Sequence, residues 1–122
     1  MKLFKRNDFI KLPAGTIYSR VNQEYGELMN GLFCKTSGED YTVDWVEQDL
    51  ISEPGFPNEI KDGGDAIDYQ LNLRDAFQEF ETDLECAGRD GMFEDEDVLV
   101  VWNKNDVQKL INYLQSVVSV AK

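Results

Sequence analysis

Histidine is absent from this chain, and cysteine and proline are scarce, with two and three residues among 122. Without histidine, imidazole acid–base catalysis and imidazole metal ligation are excluded. Cys34 and Cys86 stand far apart and form no CxxC pair, so a four-ligand zinc site has no basis. They read as small buried hydrophobes in a reducing cytosol, with a disulfide or a reactive thiol as the alternatives. A cysteine nucleophile would lack the histidine that commonly activates one. No apolar run approaches the ~20 residues of a membrane-spanning helix. The opening 1–8, MKLFKRND, has no continuous apolar stretch of the secretory-signal kind, so the expected location is the cytoplasm. Phosphate-loop, GxGxxG and GxSxG motifs are all missing, and the chain is expected to carry no cofactor and no metal.

Positive charge is also in short supply. Twelve Lys+Arg face 24 Asp+Glu, a formal net charge of −12. The little that exists is concentrated. Residues 1–20 hold five basic side chains against Asp8 alone, a balance of +4, whereas seven against 23 acids give −16 over the remainder. The acidic bulk repels nucleic acid, because affinity for a phosphate backbone follows cation density. It suits a basic protein surface instead, including one that ordinarily binds DNA or RNA. The basic opening is where an anionic ligand is welcome, and Phe4, Phe9 and Tyr18 lie within it. Those rings either stack a base or enter the core.

What is present suffices for a folded domain. Hydrophobic residues make up 42% and aromatics 11%, enough for one core in a single domain over 1–122. Residues 7–12 read as a helical turn with Asn7 as N-cap, ended by Pro13. Thr16–Arg20 has strand composition. Residues 28–47 read as an antiparallel hairpin, with Tyr41, Val43 and Trp45 alternating along its second strand. Residues 51–64, broken by Pro54, Gly55 and Pro57, form the longest irregular stretch, either functional or a surface excursion. Asp65 is the expected N-cap of a helix over about 66–80, with Ile67, Leu71, Phe77 and Phe80 on its core-facing stripe. Residues 83–87 suit a short strand and 88–91 a turn. Val98–Trp102, apolar on both faces, is the expected central strand. Asn103–Asp106 caps a closing helix over about 105–119. Its stripe of Val107, Leu110, Ile111, Leu114, Val117 and Val118 is wide enough to reach a second subunit. This order predicts an α+β fold with a largely antiparallel sheet and two main helices, assembled as a homo-oligomer.

Three constellations bear on chemistry. The acids at 90–97 invite a calcium-loop reading, but Gly91 comes too early and Met92 and Phe93 occupy ligand positions. Gly63-Gly64 before Asp65 has the look of a phosphate-binding helix start, but Asp62, Asp65 and Asp68 repel phosphate. Arg89 is the lone cation between Asp75 and Asp97. It either pairs with neighbouring carboxylates or grips an anion with its guanidinium fork.

Three segments also resemble a known family. Residues 8–19, DFIKLPAGTIYS, resemble the F-x-x-L-P-A-G-T-x-Y/F-S opening of small proteins encoded by bacteriophages and prophages. Residues 88–97 resemble their R-D-G-x-F-x-x-D stretch. Residues 98–114 resemble their closing strand and D-V-x-x-L-I-x-x-L helix. Residues 21–80 lie outside the likeness. The resemblance implies a phage accessory protein acting in the host cytoplasm, and such proteins often antagonise host defence. One mode is a sponge for a nucleotide immune signal, as in proteins that counter Thoeris-type defence. Another is an acidic antagonist that occludes a nucleic-acid-binding defence protein, as some anti-CRISPR proteins do. The expectation is therefore a non-enzymatic sponge. Its candidate ligand-binding residues are Lys5, Arg6, Phe9, Lys11, Tyr18, Arg20 and Arg89, cations for phosphate and rings for the base. The acidic antagonist is the alternative, and a carboxylate-based hydrolase a third class.

Overall fold

The computed structural model describes residues 1–22, 24–37, 45–51, 63–79, 84–85, 87–89 and 97–120. Among these described residues, six strands and three helices follow in the order β1 (Lys2–Lys5), α1 (Arg6–Phe9), β2 (Ile17–Arg20), β3 (Asn30–Lys35), β4 (Val46–Asp49), α2 (Gly63–Asp75), β5 (Gly88–Arg89), β6 (Val98–Val101) and α3 (Lys104–Val120). The strands form one sheet in the order β1-β6-β2-β3-β4-β5, and every pairing among them is antiparallel. The fold is α+β, as the element order predicts.

The clearest expectation concerned 98–102. β6 lies inside the sheet, between β1 and β2, with Leu99 and Val100 both buried although they point to opposite faces. That two-sided burial is why its sequence is apolar without alternation. Cross-strand register puts Phe4 opposite Leu99, Tyr18 opposite Val101 and Phe33 opposite Tyr18. These residues share one face, and the core gathers there: Phe9, Tyr18, Trp45 and Leu99, packed by Phe4, Ile10, Leu12, Phe33 and Val101. The rings meet edge-on, Phe9 with Tyr18 at 4.7 Å and with Trp45 at 4.6 Å between centroids, the preferred geometry for aromatic pairs.

A bulge bends the sheet beside this core. Gly31 and Leu32 of β3 face Ser19 alone on β2. Gly31 has φ +75°, and a Cβ placed there would lie 2.6 Å from the Phe33 ring, so glycine fits both demands.

Several local expectations are corrected. Asn7 does not cap α1, because the helix already begins at Arg6 and Lys5 occupies the cap position. Asp65 likewise lies inside α2, which starts at Gly63. The second hairpin strand is Val46–Asp49; Trp45 enters the core just before it, and 41–44 fall outside the described residues. Gly88–Arg89 is a strand on β4 rather than a turn, since pairing to Val46 and Glu47 supplies its backbone partners. Leu84 and Glu85 form a bend, not a strand. Phe77 is not core. α2 ends at Asp75, so the 3.6-residue phase is lost before Phe77, whose side chain is 94% exposed and whose φ is +49°. The Gln78 N–H reaches back to the Leu73 carbonyl at 3.0 Å, closing the helix end around that left-handed residue. Ile67 and Leu71 are exposed too, while Leu73 is buried. Residues 52–62 of the irregular stretch, Phe80, Cys86 and the acid run at 90–96 lie outside the described residues.

Candidate functional site

The basic opening folds into the molecule more than onto its surface. Phe9 and Tyr18 are fully buried, so neither ring offers a face for stacking. Arg6 is buried at 3% exposure, with its guanidinium 4.5 Å above the Trp45 ring and Nη1 3.2 Å from Asp97 Oδ2. Arg20 is half-buried. Its Nη2 lies 2.8 Å from each oxygen of Glu47, and its guanidinium sits 5.1 Å over the Phe33 ring. The Tyr18 hydroxyl donates to Glu47 Oε2 and accepts from Trp45 Nε1 at 2.7 Å. Burial, seconded by the Glu47 charge, raises the Tyr18 phenol far above its ordinary value, so it stays neutral. Lys35 is also buried. Its ammonium donates to the Ile10 and Leu12 carbonyls at 2.9 and 2.6 Å and to that of Phe9 at 3.4 Å. These carbonyls belong to the last residue of α1 and to the turn that follows it, where the Phe9 carbonyl also accepts the Leu12 N–H at 3.0 Å. Cations and rings of the opening thus meet acids and carbonyls of the same chain, and the cluster holds the sheet, α1 and Trp45 together.

Lys5 and Lys11 remain exposed. Arg89 lies on β5, at the opposite end of the strand order from β1, which carries Lys5. The structure therefore brings Arg6, Phe9, Tyr18 and Arg20 into one neighbourhood, and the backbone of Arg89 lies on the edge strand opposite Val46, next to the Glu47–Gly88 pair. Burial pushes the Cys34 thiol above its ordinary pKa, which makes it less reactive. No group of three or more metal-ligating side chains occurs among the described residues.

The concave feature that sequence reasoning missed lies between the core sheet and the start of α3. Phe4, Leu12, Gly15, Thr16, Ile17, Val101, Trp102, Lys104, Val107 and Gln108 line an open pocket of about 410 Å³, within the size range of small-molecule sites. β1 supplies Phe4. The 12–16 turn reverses through Gly15, at φ +91°, and carries Thr16, whose hydroxyl donates to the Pro13 carbonyl at 2.8 Å. Trp102 follows β6 and is anchored by an indole N–H donated to Ser19 Oγ at 3.0 Å. α3 starts from a reciprocal cap, Asn103 Oδ1 accepting from the Asp106 N–H at 2.8 Å and Asp106 Oδ2 from the Asn103 N–H at 3.1 Å. That cap fixes where Lys104, Val107 and Gln108 face the pocket. Among the described residues of its lining, Lys104 is the charged one. The signal in the sequence was the Asn103–Asp106 cap itself, but joining it to Phe4 and Ile17 required the antiparallel placement of β6 between β1 and β2.

No protein-family model, no curated protein and no solved structure matches this chain. Among the described residues no helix is long and apolar enough to cross a membrane.

Proposed function

We propose that this chain is a non-catalytic binding protein that sequesters a small, planar, anionic ligand of the nucleotide class in the Phe4–Trp102–Lys104 pocket. The counter-defence role implied by the phage resemblance is part of the same proposal. The observation that carries it is the pocket's lining: aromatic and aliphatic walls with Lys104 as the charge among its described residues, in a chain of net charge −12. An apolar cleft with few polar groups suits a base, and an ammonium at its rim suits a phosphate. Arg6 and Arg20 act behind this site by holding the core sheet, rather than on the ligand.

Calorimetry against a panel of cyclic mono- and dinucleotides tests the reading. Binding by the native chain is expected, with Lys104→Ala weakening it by roughly 1–3 kcal/mol, the range for a charge-assisted hydrogen bond. Recovery of the ligand intact separates a sponge from a hydrolase. Absence of binding across the panel removes the nucleotide reading. The acid excess favours a second reading, an antagonist of a basic, nucleic-acid-binding host protein. Capture of such a protein from host lysate, weakened by salt and unaffected by Lys104→Ala, selects it.

A further inference from the structure

α3 is the longest element, and it has no buried residue. Its apolar side chains recur in heptads. Val107 and Leu114 take the first position, Leu110 and Val117 the fourth, and Ile111 and Val118 the fifth. Tyr113 and Val120 extend the stripe on its other flank. Val107 and Leu110 are half-buried near the pocket; beyond them the stripe is open, with Leu114 at 52% and Val118 at 71% exposure. A heptad stripe is a surface shaped for another helix, because its knobs fill the gaps between side chains on a facing rod.

We infer that this stripe is a homodimer interface in which α3 of one chain packs on α3 of a second copy. The charge pattern selects a second copy over a foreign partner. Residues 110–120 carry no charge, and Lys104, Asp106 and Lys109 are the only charged residues of α3. Over 110–120 the positions flanking the seam, Ile111 and Val118 on one side and Tyr113 and Val120 on the other, are uncharged, so a copy facing itself meets no like charge along that stretch. Such a break in an acidic chain of net charge −12 lets two copies approach that would otherwise repel each other. Seventeen residues form a rod ~25 Å long. Two of these cover roughly 400–500 Å² per copy, at the small end of specific interfaces, which points to weak, reversible pairing.

The test is the mass of the ligand-free protein by sedimentation or light scattering over about 1–500 μM. The expected mass rises from one chain, 14.0 kDa, toward twice that, and the midpoint moves to lower protein concentration as salt screens the acidic surfaces. Leu114→Glu and, separately, the more exposed Val118→Glu are expected to weaken pairing at least tenfold while far-UV circular dichroism stays native. A single-chain mass at every concentration overturns the proposal, as it would if another part of the chain or a different protein covers the stripe. Folded variants that dimerise like the native chain overturn it too. No ligand is added, so this outcome is independent of the nucleotide reading.

Discussion

Glu47 joins the half-buried Arg20 to the fully buried Tyr18. It accepts from Arg20 and from the Tyr18 hydroxyl, which in turn accepts from Trp45. A carboxylate in this place satisfies two side chains of β2 at once, and the surrounding rings exclude the water that would otherwise compete. Glu47→Ala removes the acceptor and leaves the Tyr18 hydroxyl without it. The expected cost is about 2–4 kcal/mol in urea unfolding followed by Trp45 fluorescence, since truncating one partner of a part-buried ion pair strands the other. Glu47→Gln, which keeps an acceptor but not the charge, is expected to cost less. Lys35 shows the same logic with opposite sign. It is a fully buried ammonium among backbone carbonyls. Its place at the end of β3 was not legible, because alternation marks a lysine in a strand as solvent-facing.

Among the elements, α3 was the most legible. Its start, its stripe and its cap are local features, and a reciprocal Asn103–Asp106 cap depends on residues three apart. The cap also draws in the other end of the chain: the Met1 ammonium lies 2.7 Å from Asp106 Oδ2. That hydrogen bond, followed by the Asn103 N–H, holds the Asp106 carboxyl below the usual carboxylate range. A carboxylate whose pKa is depressed by folding adds stability that is complete above its unfolded value and disappears as acid protonates it. The native chain is therefore expected to lose more stability than Asp106→Asn between about pH 5 and pH 3, where ordinary carboxylates titrate. Thermal melts of both proteins across that window check it; parallel pH curves would dissociate Asp106 from the acid response. α2 was less legible, because its end is set by the left-handed Phe77 rather than by a glycine or proline that a sequence scan would notice.

At the scale of the molecule the dominant quantity is net charge. Twenty-four acids against twelve bases repel one another in the compact state, while the bonds of Arg6, Arg20 and Lys35 are internal and poorly screened. Added salt therefore weakens repulsion more than attraction. The melting temperature is expected to rise between about 10 mM and 0.3 M sodium chloride, over which the screening length falls from ~30 Å to below 8 Å. A fall on adding salt would mean that surface ion pairs, not repulsion, dominate. The same screening is expected to bring two copies together through α3.

By itself the sequence determined what depends on near neighbours. The two-sided apolar run at 98–101, the capped helix after it, the hairpin signal around 28–47 and the α+β order all follow from period, cap and turn chemistry within a few residues. Only the tertiary structure decided which charges and rings face inward. Arg6, Arg20 and Lys35 look in the sequence like a cationic surface, but the fold lays them beside Glu47, Asp97 and the carbonyls of the turn after α1, where desolvation makes each bond stronger than it would be in water. It also set Arg89 on the far edge of the sheet from Lys5 and assembled the pocket from β1, the 12–16 turn, β6 and α3. These are long-range pairings, fixed by how the strands order themselves around one core, and no local pattern encodes that order.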